Sequence, residues 1–327
     1  MTEMDLSAVN LEAIIAAEQQ LVGHVIRTPS VDVRQTGLES LLPDGSKISM
    51  KLELMQKAGS FKARGSYLSI KALSSNRRAG GVVAASGGNH ALAVAWAART
   101  IGVSVKIAIP KIADPVRIEG CRNLGAELVL CEDIHEAFDT MHMIKAAEGR
   151  AMIHPFEGLN MSLGAATCGK ELFEANPDVE VVILPVGGGG LISGMSAAIK
   201  FLNPDVEVYG VEPFGADSMY QSFKAGSPQS ITKVDTIADS LGSPTALPLS
   251  FALTRTYVDD IVRVSDDAIR DAMRAMNASM KLVPEPACAA SLAGALGPLR
   301  EKCEGKRVGL LACGANISLD RFAALIA

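Results

Sequence analysis

Lys62 stands in Gly59-Ser60-Phe61-Lys62-Ala63-Arg64-Gly65, one position past an aromatic and at the opening of a helical pattern. As a lone lysine it reads as a solvated surface cation. Its small, apolar neighbours point instead to partial burial, and a desolvated lysine has a lowered pKa and can attack a carbonyl as a neutral amine. A second group is Ala84-Ala85-Ser86-Gly87-Gly88-Asn89-His90-Ala91, which joins a strand end to a helix start. Unpaired backbone N–H groups in such a place bind an anion of carboxylate size, and glycines let it approach the chain. The plainer reading is a tight turn capped by Ser86 or Asn89. A third is Val186-Gly187-Gly188-Gly189-Gly190-Leu191-Ile192-Ser193-Gly194. Four consecutive glycines carry an entropic cost that a mere turn does not need, and a loop of free N–H groups ahead of a helix cradles a phosphate. A fourth is Leu310-Leu311-Ala312-Cys313-Gly314-Ala315-Asn316-Ile317, in which Cys313 is either a buried structural cysteine or a thiol facing a ligand nitrogen.

Two near misses are set aside. No register of the glycine run satisfies G-x-G-x-x-G, so it is not a dinucleotide fingerprint. The stretch from Gly164 to Glu171 has P-loop spacing, but Glu171 replaces the hydroxyl that would hold magnesium. What is left is an amine, a carboxylate nest, a phosphate cradle and a polar group at a strand end. Amine plus phosphate suggests pyridoxal phosphate, whose aldehyde condenses with a lysine, and the nest suggests an amino acid substrate.

The elements that must position these groups alternate. Short β-branched runs are predicted as strands at 81–84, 105–109, 127–131, 152–154, 179–184, 206–211 and 307–312. Helical patterns are predicted at 9–22, 61–74, 90–101, 115–124, 134–148, 163–175, 192–201, 266–280 and 288–299. Such alternation predicts an α/β fold with parallel sheets. The strands are almost continuously apolar, as strands covered by helices on both faces are. Residues 223–250 carry the weakest pattern and are expected to be rich in loops.

Composition excludes several classes. With 327 residues, 48% apolar and 20% charged, the chain is long and apolar enough for roughly two globular domains. A net charge of −5 with 4% aromatics leaves no nucleic-acid footprint. The six cysteines, at 121, 131, 168, 288, 303 and 313, form no C-x-x-C pair and read as reduced thiols of a cytoplasmic protein. The acidic start MTEMDLSAVNLEAIIAAEQQ lacks the pattern of a signal peptide. Uncharged stretches at 80–98 and 181–199 are broken by glycine loops, so they are expected to be strand, loop and helix and not membrane spans.

Ser60-Phe61-Lys62-Ala63-Arg64-Gly65, Ser86-Gly87-Gly88-Asn89-His90, Gly187–Gly190, Val211-Glu212-Pro213 and Cys313-Gly314-Ala315-Asn316 together resemble the fold-type II pyridoxal-phosphate enzymes, in the threonine/serine dehydratase and serine racemase group. The resemblance runs from about Thr28 to Leu319. It implies two three-layer parallel-sheet domains of the tryptophan synthase β kind. Residues 1–55 and 153–327 would form a large cofactor domain and 56–152 a small inserted one. A homodimer is implied as well. Lys62 is implied as the Schiff-base lysine and the base for the α-proton, with Phe61 beside the cofactor ring. Gly187, Gly188, Gly189 and Gly190 would take the phosphate. Asn89 would bond the ring hydroxyl, with Glu285 near the ring and Cys313 facing the pyridine nitrogen. Ser86, Gly87, Gly88, Asn89 and His90 would hold the substrate.

The implied activity is an ammonia-lyase reaction. The α-proton is removed, the β-hydroxyl leaves, and a small β-hydroxy amino acid becomes a 2-oxo acid and ammonia. Threonine and serine fit, and 3-hydroxyaspartate fits if the pocket holds a basic partner for its second carboxylate. Gly87 departs from the racemases, which carry a second serine there as the acid/base of the opposite face, so elimination is favoured over racemisation. In metal-dependent members a magnesium or calcium ion would sit among positions matching Glu212, Ala216 and Ser218. Ser218 stands where a second carboxylate would be and is a weaker ligand. Without the resemblance, Glu212 reads as a solvated loop carboxylate. The alternatives are a racemase or β-replacement synthase of the same fold, and a non-catalytic α/β ligand-binding protein.

Overall fold

The tetraglycine run and the Ser86–His90 loop each follow the C-terminal end of a parallel strand, in two different sheets. The computed structural model describes residues 5–327. Its strands are β1 Ser30–Asp32, β2 Lys47–Lys51, β3 Val82–Ala85, β4 Val105–Pro110, β5 Glu127–Cys131, β6 Ala151–Met152, β7 Val181–Pro185, β8 Glu207–Pro213, β9 Asp260–Val264 and β10 Arg307–Leu311. Its helices are α1 Leu11–Leu21, α2 Lys62–Lys71, α3 Ser75–Ala79, α4 Asn89–Ile101, α5 Pro115–Asn123, α6 Ile134–Glu148 and α7 Leu159–Ala175. They continue with α8 Gly190–Leu202, α9 Ser218–Ala225, α10 Pro248–Tyr257, α11 Asp266–Met280, α12 Pro286–Leu296, α13 Arg300–Cys303 and α14 Leu319–Ile326.

One sheet has the order β1-β2-β10-β7-β8-β9 and the other β5-β4-β3-β6. All pairings are parallel except that of β1 with β2, so the α/β expectation holds with one antiparallel edge. Central strands β3 and β7 are buried along their whole length, which is why they read as unbroken apolar runs. The two long uncharged stretches are each strand, glycine loop and helix, and no described helix is long and apolar enough to cross a membrane. The expected strand at 152–154 ends at Met152 instead, where Pro155 and the polar turn begin. The sequence patterns missed β1, β2 and β9, because β1 has only three residues and Lys47, Lys51, Asp260 and Arg263 interrupt the apolar runs of the others. Helices α3, α9, α10, α13 and α14 were also missed.

The helix layer that carries the site is packed backbone to backbone. A Cβ on Gly164 of α7 would lie 2.4 Å from the Gly65 nitrogen of α2, and one on Gly194 of α8 would lie 2.0 Å from the Ser162 carbonyl oxygen. Glycine is required there by proximity, since any side chain would push the helices apart.

Beneath α2 lies a fully buried charge cluster. Arg64 pairs with Glu53 and Glu171, each with a contact of 2.8 Å, and Lys51 pairs with Glu171 at 2.6 Å. Thr28 donates to Glu53 at 2.6 Å. Two cations face two carboxylates, so no charge in the cluster is left alone.

Candidate active site

Lys62 is the first residue of α2, and the turn that delivers it is stitched to the exit of β10. Phe61 N–H donates to the Cys313 carbonyl at 3.2 Å, Ala315 N–H to the Gly59 carbonyl at 3.1 Å, and Ser60 bridges Gly314. Asn316 Nδ2 donates to the Ala58 carbonyl at 2.8 Å. Gly59 has φ +68, and a Cβ there would meet Asn316 Oδ1 at 2.4 Å, so this turn admits only glycine. Lys62 Nζ lies 5.0 Å from the Phe61 ring centroid and donates to the Pro155 carbonyl at 2.5 Å. Burial lowers its pKa to about 8, against the opposing pull of Cys313 and Glu285. It is therefore a desolvated amine and not a surface cation.

The Ser86 loop leaves β3 and runs into α4, which starts without a side-chain cap. Gly88 N–H donates to Ser86 Oγ at 3.0 Å. His90 is buried, with Nε2 on the Ile153 carbonyl at 2.9 Å and Nδ1 without a partner among the described residues. Burial, then the Lys62 charge, lowers its pKa to about 3, which leaves a neutral imidazole. Asn89 Nδ2 donates to Glu285 Oε1 at 2.5 Å, while its Oδ1 accepts from Asn316 at 2.6 Å. The tetraglycine run leaves β7 and opens α8, again with no side-chain cap. Gly189 has φ +86, and Cβ atoms on Gly188 and Gly190 would lie 2.5 and 2.6 Å from Phe156.

Cys313 and Glu285 close the far side. Both are buried, and burial pushes both pKa values up, that of the Cys313 thiol strongly. The structure thus brings together Lys62, Phe61, Asn89, Glu285 and Cys313, and it places the Ser86–His90 and Gly187–Gly190 loops at the C-terminal edges of the two sheets.

These features fit pyridoxal phosphate. The fit rests on a desolvated amine, the unpartnered buried Ser60 Oγ and His90 Nδ1, and a helix N-terminus whose loop accepts no Cβ.

The cation set is arranged differently from the expectation. Glu212 is no solvated loop residue: it is fully buried on β8. Its two oxygens accept from Met219 N–H at 3.1 Å and Tyr220 N–H at 2.7 Å, so it caps α9. Ser218 Oγ donates to the Ser243 carbonyl at 2.9 Å, and Ala216 N–H to the Pro213 carbonyl. Asp217 pairs with Arg263 at 2.9 Å. No group of three metal-binding side chains gathers among the described residues.

Sequence reasoning missed Arg117. It lies buried on α5 and donates to the Asn316 carbonyl at 2.8 Å, to the Gly87 carbonyl at 3.2 Å and to Asp239 at 2.8 Å, with Glu285 at 3.4 Å. No spacing links residues 117, 239 and 285, so only the fold reveals the set. His154 and Phe156, just beyond β6, were missed for the same reason.

Comparison with known proteins points to the same cofactor. The family described as "Pyridoxal-phosphate dependent enzyme" matches residues 22–314. The phenylserine dehydratase of Ralstonia pickettii is 44% identical over 99% of this chain and 98% of its own. The L-threonine ammonia-lyase of Thermotoga maritima is 39% identical over 95% of this chain and 77% of its own. Maize serine racemase superposes with a TM-score of 0.90 at 33% identity, over 97% of this chain and 96% of its own. The chain belongs to the pyridoxal-phosphate dependent enzymes of fold type II, in their ammonia-lyase (dehydratase) group.

Proposed function

We propose that this member of the pyridoxal-phosphate dependent enzymes converts a small β-hydroxy amino acid, threonine or serine in kind, to a 2-oxo acid and ammonia, with Lys62 as its catalytic group. The observation that carries the reading is the Lys62 amine. It is half-buried, desolvation lowers its pKa to about 8, and it projects from a turn fastened to Cys313 and Gly314. Gly187–Gly190 would hold the cofactor phosphate, with Phe61, Asn89, Glu285 and Cys313 around the ring. Bound pyridoxal phosphate supplies the electron sink that acidifies the substrate α-carbon.

The Ser86–His90 loop would fix the substrate carboxylate with backbone N–H groups. The free amine of Lys62 Nζ takes the α-proton, and the β-hydroxyl departs with a proton as water. The enamine left behind hydrolyses to the 2-oxo acid and ammonia. The Cys313 thiol is neutral in its buried setting, so at the place of the pyridine nitrogen it would offer no negative charge to hold a proton there. That would suit an elimination, where departure of the hydroxyl relieves the carbanion.

Residues 56–152 would form the small domain and 1–55 with 153–327 the large one. In support, all four strands of the smaller sheet lie within 82–152. Closure of the small domain on the substrate carboxylate would exclude water. All six cysteines are free and buried, in keeping with a reducing cytoplasm. The homodimer is proposed from the family resemblance and is checked by sedimentation.

The test is an absorbance spectrum and a 2-oxo acid assay on Lys62→Ala. The parent enzyme should show a visible band and release oxo acid. Lys62→Ala should lose the band and at least about 10³-fold of the turnover. Undiminished turnover would end the assignment. A parent that binds cofactor yet releases no oxo acid would favour a racemase or synthase, and a parent that binds no cofactor would favour a ligand-binding protein.

A further inference from the structure

We infer that Phe138, His154 and Phe156 form the side-chain subsite of this enzyme, and that they select β-hydroxy amino acids whose β-substituent is apolar and flat, an aryl ring above all, over those bearing a second carboxylate. The inference rests on the ammonia-lyase reading of the same site and names the substrate class for it.

His154 and Phe156 lie where the anchoring groups converge, and Phe138 packs behind them on His154. Lys62 Nζ reaches the Pro155 carbonyl, between His154 and Phe156 in the chain. The Ile153 carbonyl accepts from His90, which ties the carboxylate nest to the same turn. The Phe156 ring lies against Gly188 of the phosphate cradle. His154 stands edge-on to Phe156 with centroids 4.7 Å apart at 83°, and Phe138 of α6 lies 6.5 Å from His154. With the substrate carboxylate at Ser86–His90 and its amine at Lys62, the wall next to both anchors is aromatic. Such a wall gains from edge-to-face contact with a further ring.

Among the described residues, no positive charge is free there to meet a second carboxylate. His154 Nδ1 accepts from the N–H groups of Phe156 at 3.3 Å and Glu157 at 3.0 Å, so the ring is the neutral tautomer with its proton on Nε2. Burial and the Lys62 charge keep it so, lowering its pKa to about 4. Arg117, the buried cation near the nest, already serves Asp239, Glu285 and the carbonyls of Gly87 and Asn316. A substrate carboxylate against these rings would be desolvated and unpaired. Its place in 3-hydroxyaspartate therefore has no partner among the described residues.

The test uses the loaded enzyme with L-threo-phenylserine, L-threonine and L-threo-3-hydroxyaspartate. It adds spectral titration with L-phenylalanine and L-aspartate, which carry the same side chains without the leaving hydroxyl. The parent should favour phenylserine over 3-hydroxyaspartate by about 100-fold or more in kcat/KM, and should bind phenylalanine more tightly than aspartate. Phe138→Arg should shift both ratios at least tenfold towards the acidic ligand. Phe138→Leu, which keeps an apolar side chain without the ring, should weaken only the aryl preference. Equal use of phenylserine and 3-hydroxyaspartate by the parent, or ratios unmoved in both variants, would overturn the subsite. If no substrate yields oxo acid, the ammonia-lyase reading fails by itself, and the phenylalanine-to-aspartate binding ratio still decides the subsite.

Discussion

The chemistry of Lys62 depends on where its proton is. Its pKa is lowered to about 8, chiefly by burial. Capture of pyridoxal phosphate by cofactor-stripped enzyme requires the neutral amine, so its rate should climb through pH 8, well below the ordinary lysine range. Stopped-flow absorbance between pH 6.5 and 10 checks this, and a rate still rising tenfold per unit at pH 9.5 would show a solvated amine. Gly87 supplies a second case. Its φ is not in the left-handed region, and an added Cβ would stand at ordinary contact distance from Pro110, 3.5 Å away. Gly87→Ser should therefore fold as the parent does and gain a hydroxyl where the racemases carry one. The expected outcome is deuterium incorporation at the α-carbon with inverted configuration, measured by chiral chromatography of recovered serine in heavy water. Both residues were legible in the sequence, one from its apolar neighbours and the other from the loop it sits in.

At the scale of elements, α2 carries Lys62 and is held from below by the buried Arg64, Glu53, Glu171 and Lys51. Glu171 reaches both cations from α7. Glu171→Gln would leave Lys51 and Arg64 with Glu53 alone. Breaking a buried pair in this way costs about 3–5 kcal/mol, because an uncompensated charge stays inside. The urea midpoint should fall accordingly, and kcat should fall with it as α2 loosens. A midpoint within error of the parent would mean that water screens the cluster. The pairing of Lys51, Glu53, Arg64 and Glu171 carries no visible mark in the sequence. Lys51 and Glu53 look like surface residues at a strand end, and Glu171 looks like one more helical carboxylate. Their burial follows from α2 lying over α7, a packing that the glycines 65 and 164 permit.

Over the whole molecule, the two sheets meet through side chains far apart in the chain. Arg117 on α5 binds Asp239, Glu285 and the Asn316 carbonyl, so the cation of one sheet's helices is neutralised by carboxylates beside the other. Acid should unsettle this arrangement through the imidazoles. His90 and His154 have pKa values lowered to about 3 and about 4, foremost by burial. In the unfolded chain both take protons near 6.5. Unfolding then binds protons that the folded state refuses, and stability falls as pH drops from about 6.5 towards 4, by at most about 1.4 kcal/mol per unit for each group. Glu53, with its pKa lowered mainly by Arg64 against burial, adds to the loss at the acid end, whereas Glu212 and Glu285, raised by burial, oppose it. His154→Leu should flatten the slope of stability against pH in this window, read from urea midpoints at pH 7, 6, 5 and 4. An unchanged slope would place the His154 imidazole in water.

What the sequence determined by itself were the features whose signal is local. The apolar strands, the glycine loops at their ends and the lysine opening a helix are adjacent in the chain, and local chemistry fixes what each can do. The sequence marked the Lys62, Ser86–His90, Gly187–Gly190 and Cys313 motifs without any contact map. The tertiary structure decided which separate segments share a volume. It gave the Glu212 carboxylate to the backbone N–H groups at the start of α9, the Ser218 hydroxyl to the Ser243 carbonyl, and Arg263 to the neighbouring Asp217. It also buried Arg117 between two carboxylates, brought Phe138 and Phe156 to His154, and set Lys62 on the Pro155 carbonyl of the same turn. The physical reason is that burial and pairing arise when elements pack, and the strands that set this packing are parallel neighbours joined by long crossovers. No spacing within one segment records which crossover brings a distant residue home.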